Sequence, residues 1–80
     1  MTNKTWNSEQ VALQTTLKQI RGESGLTQTE LANLLGKKQS FVSKYESGER
    51  KLDYFEVKAI LVECGITITK FDNRLSKTLG

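Results

Sequence analysis

Four polar side chains, spaced so that they share the outer face of one predicted helix, carry groups that can hydrogen-bond to base edges. They are Gln39, Ser40, Ser43 and Lys44. An amide pairs with N6 and N7 of adenine, an ammonium group with O6 and N7 of guanine, and a hydroxyl with either base. The same residue types are also typical of a helix face that is only solvated. The charge and the elements around this face therefore decide what it does.

The chain's excess of positive charge is confined to the segment that contains this face. Between Gly36 and Lys51 there are five basic and two acidic residues, whereas the rest of the chain has seven of each sign. The net charge of +3 at a pI of about 9.2 therefore comes from this segment alone. Positive charge concentrated in this way indicates a polyanionic partner.

Four helix starts are indicated by the same local pattern. A polar cap residue directly follows one apolar residue, and a second apolar residue stands five positions after the first, as in a hydrophobic staple. The four candidate caps are Asn7, Thr27, Asp53 and Thr67. The first three also have a glutamine or glutamate at the capping-box position, three residues later. These are Gln10, Glu30 and Glu56, whereas Lys70 occupies that position after Thr67.

Helix ends are indicated by glycines that follow apolar runs, since glycine favours the left-handed conformation of a C-terminal cap. These glycines are Gly25, Gly36 and Gly65, and the chain contains no proline. Together these signals predict helices over about Ser8–Ser24, Gln28–Leu35, Gln39–Glu46 and Tyr54–Cys64. Their inward residues are predicted to be Leu13, Leu17, Ile20, Leu31, Ala32, Leu35, Val42, Val57, Ile60, Leu61 and Cys64.

The tail, residues 68–80, has Phe71, Leu75 and Leu79 at helical spacing, which favours a fifth helix. Residues 66–69 alternate like a strand, which leaves a short strand at a dimer seam as the alternative. Residues 1–5 are predicted to be disordered. A chain of 80 residues supports one small core, so we predict a single all-α domain of four or five helices.

Several of these residues, at their joint spacing, resemble the Cro/phage-repressor (XRE-type) family of helix-turn-helix regulators. They are Gln28-Thr29-Glu30-Leu31-Ala32, Gly36, Val42-Ser43, and Glu46 followed by Gly48. The likeness extends without gaps over about residues 17–71. It implies a compact lambda-repressor-like domain in which residues 26–51 form the helix-turn-helix and the face around Gln39 lies in the major groove.

The resemblance also implies roles for residues outside that face. Gln28, at the start of the second helix, is expected to contact a DNA phosphate. Arg21 and Glu46 are expected to form a partly buried salt bridge that ties the first helix to the third. Arg50 and Lys51, in the loop after the third helix, are expected to contact the phosphate backbone.

The turn departs from the family pattern at Lys37 and Lys38, because the family more often has Ser or Thr at the second position as a helix cap. The missing cap is expected to cost about 0.5–2 kcal/mol of helix stability. We interpret both lysines as phosphate contacts, with a solubilising lysine pair as the alternative for Lys37.

Two aromatic residues of the third helix leave more than one interpretation open. Phe41 is expected on a wet face, where it either packs against the loop after the helix or meets a thymine methyl group. Tyr45 is expected to bury its ring and to keep its hydroxyl at the surface, near a phosphate or a side chain.

Other classes of function find little support. The chain has no histidine, one cysteine and no glycine-rich phosphate loop, so no catalytic base, zinc cluster or nucleotide site is indicated. We expect neither an enzyme nor a bound cofactor or small-molecule ligand. No apolar run is long enough to span a membrane and no leader is evident, which predicts a cytoplasmic protein.

The sequence therefore predicts a regulator that binds double-stranded DNA sequence-specifically, most simply a repressor. We expect a homodimer on a palindromic operator with half-sites about 34–36 Å apart. Leu75 and Leu79 are the candidate dimer interface, and the alternative for both is closure of the chain's own core. Two other functions remain: an antitoxin-like protein-interaction module, and RNA binding, against which the lack of a stacked aromatic platform counts.

Overall fold

The chain folds into a succession of short α-helices, and the computed structural model describes residues 2–79, with side chains from residue 8 onward. Within that range there are five helices and no strand. They are α1 (Thr2–Glu23), α2 (Gln28–Leu35), α3 (Gln39–Ser47), α4 (Tyr54–Cys64) and α5 (Ile68–Leu79). The all-α prediction is confirmed, and α5 replaces the alternative of a strand.

Local capping fixes the starts of α2 and α4. Thr27 and Asp53 each accept a hydrogen bond from the backbone N–H three residues later, and the side chains of Glu30 and Glu56 bond back to the N–H of the cap. Both capping boxes are therefore confirmed. Thr67 also caps α5, where its hydroxyl accepts a hydrogen bond from the N–H of Lys70.

The start of α1 differs from the prediction. The helix begins at Thr2 rather than after a cap at Asn7, so it includes residues 2–5, where disorder is predicted. Met1 lies outside the described residues. The reason is local: neither glycine nor proline occurs before Gly22 to interrupt the helix.

The core forms where α1, α2, α3 and α4 meet, and Phe71 of α5 closes it. Leu17, Leu31, Val42 and Ile60 are fully buried. Burying side chains of this size contributes roughly 1.5–3 kcal/mol each. The half-buried Cys64 packs against this core, and burial raises the pKa of its thiol.

Helix α5 packs along α1 in the opposite direction. Arg74 forms an ion pair with Glu23 near the end of α1, with Nη2 and Oε2 2.8 Å apart. Four residues further along α5, the hydroxyl of Thr78 lies 3.3 Å from that of Thr16, which is buried near the middle of α1. The tail is therefore part of the domain that positions α2 and α3.

Candidate nucleic-acid interface

The turn between α2 and α3 presents the start of α3 to solvent. Gly36 adopts a left-handed conformation with φ of 69°, which a Cβ atom would oppose, and ends α2. The N–H of Lys37 then donates to the carbonyl of Ala32. Lys38 occupies the N-cap position of α3, and its side chain makes no capping hydrogen bond, as the sequence implies.

Helix α3 has one buried face and one solvent-exposed face. Val42, Tyr45 and Glu46 are buried. On the other side Gln39, Ser40 and Lys44 are exposed, and Ser43 is half-buried. Three of the four predicted base-contacting side chains therefore reach solvent, and Val42 is the inward anchor that the sequence predicts.

A buried ion pair fixes the angle of α3 on α1. Nε of Arg21 lies 2.6 Å from Oε2 of Glu46, and Nη2 of Arg21 lies 3.0 Å from Oε1. Nη1 of Arg21 also donates to the carbonyl of Leu26. The hydrogen bond to Glu46 raises the pKa of Arg21, which favours the charged form of the guanidinium. The structure thus contains the salt bridge that the resemblance implies.

Two glutamines extend this ion pair to the protein surface. Nε2 of Gln28 donates to Oε1 of Glu46 over 3.0 Å, and Nε2 of Gln39 donates to Oε1 of Gln28 over 2.7 Å. A continuous chain of hydrogen bonds therefore runs from Arg21 to Gln39. The sequence reasoning missed the pairing of the two glutamines, because no local signal links residues eleven positions apart.

Phe41 packs against the ends of the loops on both sides of α3, which agrees with the packing role that its sequence position allows. Its ring contacts the ring of Tyr45, with centroids 5.7 Å apart. The ammonium of Lys37 and the guanidinium of Arg50 lie 5.5 and 5.0 Å from the centroid of Phe41.

Arg50 is also anchored by α4. Its Nη2 lies 2.6 Å from Oε2 of Glu56, the residue that completes the capping box with Asp53. The backbone N–H of Asp53, and next the Arg50 guanidinium, lower the pKa of Glu56. Glu56 therefore serves as a helix cap and as the ionic partner of Arg50, and the sequence indicates only the first role.

The expectation for Tyr45 requires a correction. The side chain is only 2% exposed, and the hydroxyl is buried with no hydrogen-bond partner among the described residues. It therefore does not reach a phosphate in this structure. Tyr45 lies three residues after Val42 and so shares its inward face, and the packing of Phe41 covers it further.

The remaining predicted residues occupy different surroundings. Lys38, Arg50 and Lys51 are exposed at the two ends of α3. Leu75 is half-buried and packs against the core of its own chain, whereas Leu79 is 47% exposed.

The sequence reasoning missed a second apolar surface, on the outer face of α4. Phe55 is 76% exposed and Val62 is 70% exposed. They lie seven residues apart on the helix side opposite Val57 and Ile60, which are buried, and Tyr54 packs edge-on against Phe55. We call Tyr54, Phe55 and Val62 the α4 patch. The sequence signal for this patch was the helical spacing of Phe55 and Val62 on the side of α4 away from its predicted inward residues.

These features, a helix-turn-helix whose second helix presents polar side chains beside lysines and arginine, define a DNA-binding transcriptional regulator. A family model described as helix-turn-helix matches residues 17–71. The chain belongs to that family, the XRE-type helix-turn-helix regulators.

Solved structures agree with this fold. The restriction-modification controller protein C.Esp1396I, crystallised as a mutant, is 25% identical, with a TM-score of 0.83 over 90% of this chain and 96% of its own. Two structures of the clp gene regulator ClgR from Corynebacterium glutamicum are each 18% identical, with TM-scores of 0.79 and 0.80. They cover 90% and 89% of this chain and 92% and 76% of their own. A search of the curated proteins finds no match.

None of the described helices is long and apolar enough to cross a membrane. Among the side chains described, from residue 8 to residue 79, no group of three or more potential metal ligands converges.

Proposed function

We propose that the protein is a sequence-specific transcriptional repressor that binds a palindromic operator as a homodimer. The observation that carries this proposal is the hydrogen-bonded chain that ends at Gln39. This chain holds an exposed amide at the first residue of α3. α3 is the second helix of the helix-turn-helix, and the N-terminal residues of that helix contact base edges when the unit docks in the major groove.

In that docked position, the amide of Gln39 is suited to adenine, and the ammonium of Lys44, more than one turn further along α3, is suited to guanine. Ser40 and Ser43 offer hydroxyls between them. Gln28 has its amide at the N-terminus of α2, where backbone N–H groups and the helix dipole favour a phosphate. Because Gln28 already bonds Gln39, a phosphate that binds Gln28 would also fix the orientation of Gln39.

Phosphate contacts are assigned to the cations at the two ends of α3, namely Lys37, Lys38, Arg50 and Lys51. Replacing Lys38 or Arg50 by alanine is expected to weaken binding to operator and to unrelated DNA by a similar factor. The slope of log K against log salt concentration should fall by about 1 for each lost contact. Titrations of both duplexes between 50 and 200 mM salt measure this, and an unchanged slope would remove the residue from the set of phosphate contacts.

A homodimer would supply the second recognition helix that a palindrome requires. The sequence assigns the seam to Leu75 and Leu79, but Leu75 packs mainly within its own chain. The α4 patch offers more exposed apolar area than Leu79 does. We therefore assign the dimer interface to the α4 patch. Leu79 is the alternative interface residue.

Matched substitutions separate the two seams. If the α4 patch is the interface, Phe55→Ser should raise the dimer dissociation constant by at least tenfold, since interfaces depend on a few large aromatic anchors. Leu79→Ser should then leave it unchanged. Sedimentation equilibrium over a dilution series measures both, and the opposite ranking would move the seam to α5. A monomeric wild type at all concentrations would overturn the homodimer.

The whole proposal is tested by selecting bound duplexes from a random pool and measuring the mass of the complex. Enrichment of a palindrome bound by two chains is the expected result. Failure to enrich any sequence at moderate salt, together with an intact fold, would overturn the proposal and favour a protein-interaction module that uses the α4 patch. Binding to DNA also agrees with the cytoplasmic location that the sequence predicts.

A further inference from the structure

Phe41 brings together two cations that the sequence places thirteen residues apart. Lys37 lies in the turn before α3 and Arg50 lies in the loop after it, and both charged groups lie within 5.5 Å of the centroid of the Phe41 ring. Lys37, Phe41 and Arg50 are called the Phe41 cluster. We propose that Phe41 is a positioning residue that presents Lys37 and Arg50 together to the DNA backbone. This inference rests on the proposed DNA-binding function.

The ring is suited to this task by its charge distribution. The face of an aromatic ring is electronegative and attracts ammonium and guanidinium groups. Two cations near one another repel, so the ring and a nearby anion must offset that repulsion. Glu56 is that anion, because its Oε2 bonds Arg50 while its Oε1 remains bound to the N–H of Asp53.

Both cations keep access to solvent although their charged groups lie beside the ring. The side chain of Arg50 is 45% exposed and Lys37 is exposed. A guanidinium carries five N–H donors, and the ion pair with Glu56 uses one, on Nη2. The other donors can turn to a phosphate without releasing Glu56, so the cluster is compatible with a bound DNA backbone.

Positioning matters because long basic side chains lose rotamer freedom when they bind. A side chain that is already held loses less, and binding is correspondingly tighter. Phe41 therefore orders positive charge beside the first turn of α3, where Lys38 makes no capping hydrogen bond.

The test compares Phe41→Leu, which keeps a large apolar side chain but removes the ring, with Phe41→Tyr, which keeps the ring. The probes are the duplex that the wild type enriches from a random pool and an unrelated duplex of equal length. Phe41→Leu is expected to bind both duplexes about five- to tenfold more weakly, with a shallower salt dependence and unchanged selectivity. Phe41→Tyr should behave like the wild type.

Different results identify different errors. Loss of selectivity in Phe41→Leu, with the salt dependence unchanged, would overturn positioning in favour of a base contact by Phe41. Wild-type affinity and salt dependence in Phe41→Leu would overturn it outright. Phe41→Met, another flexible apolar replacement, is used in the same way if the leucine variant does not fold by circular dichroism.

A measurement without DNA keeps this inference separate from the proposed function. In the wild type, ring currents should shift the NMR signals of the Lys37 ε and Arg50 δ protons, and the shifts should persist in Phe41→Tyr and vanish in Phe41→Leu. Their absence from the wild type would overturn the cluster even if DNA binds. Their presence in a wild type that selects no DNA would instead overturn the proposed function and, with it, the role of the cluster in DNA binding.

Discussion

Glu46→Ala is expected to lower the free energy of unfolding by about 3 kcal/mol, because it leaves the guanidinium of Arg21 without its carboxylate. The side chain of Glu46 is 3% exposed and that of Arg21 is 15% exposed, so water compensates poorly for the lost partner. The bond from Arg21 to the carbonyl of Leu26 remains, which places the expected loss at the lower end of the range for broken buried pairs. Urea denaturation followed by circular dichroism measures it.

The ion pair between Arg74 and Glu23 provides the matched control. In that pair the side chain of Glu23 is 62% exposed. The hydrogen bond with Arg74 lowers the pKa of Glu23, but the carboxylate stays in contact with water. Glu23→Ala should therefore change stability far less than Glu46→Ala, since exposed pairs are screened by water. Equal losses in the two variants would contradict the structural role assigned to Glu46.

Glu46→Ala should also reach the DNA-binding surface. Gln28 loses an acceptor, and Gln39 is held through Gln28. At a temperature where the variant remains folded, its selectivity for the enriched duplex should fall even though residue 46 lies inside the domain. Glu46→Gln, which keeps an acceptor oxygen, should retain more of that selectivity.

Replacing Gln39 and Lys44 together by alanine is expected to remove most discrimination between operator and unrelated DNA. Each bidentate contact to a base edge contributes roughly 1–3 kcal/mol, so the double variant should lose on the order of thirtyfold to ten-thousandfold in the selectivity ratio. Competition titrations with the enriched duplex and an unrelated duplex measure the ratio. The affinity for unrelated DNA should change much less, because it depends chiefly on phosphate contacts.

The chain contains a control of the same composition. Gln19 and Lys18 are both exposed on α1, so Lys18→Ala with Gln19→Ala removes one amide and one ammonium away from α3. This pair should leave the selectivity ratio unchanged. If operator selectivity survived alanine at Gln39 and Lys44, the assignment of α3 as the base-contacting helix would be wrong.

The helix boundaries that depend on neighbouring residues could be predicted well from the sequence. The bounds of α2 and α4 match the prediction at both ends, because a capping box and a left-handed glycine act within one turn. The start of α1 could not be predicted in this way, since Asn7 has the same local pattern as a true cap and nothing before it interrupts the helix.

The contacts between distant residues depend on packing instead. The pattern predicts that the ring of Tyr45 turns inward, but the burial of its hydroxyl as well depends on how helices distant in sequence pack around it. Likewise, Leu75 and Leu79 share one helical face, yet the antiparallel docking of α5 on α1 leaves the first half-buried and the second exposed.

The sequence alone determined the all-α domain, the helix-turn-helix and the concentration of positive charge around α3, because periodicity, capping and composition act locally or simply add up. Tertiary structure decided which side chains meet: Gln28 with Gln39, and Phe41 with Lys37 and Arg50. The pairing of Arg21 with Glu46 is expected from the family resemblance, but its contact with Gln28 is not. Side-chain partners of this kind are set by how helices cross, and the crossing emerges only when all five helices bury one common core.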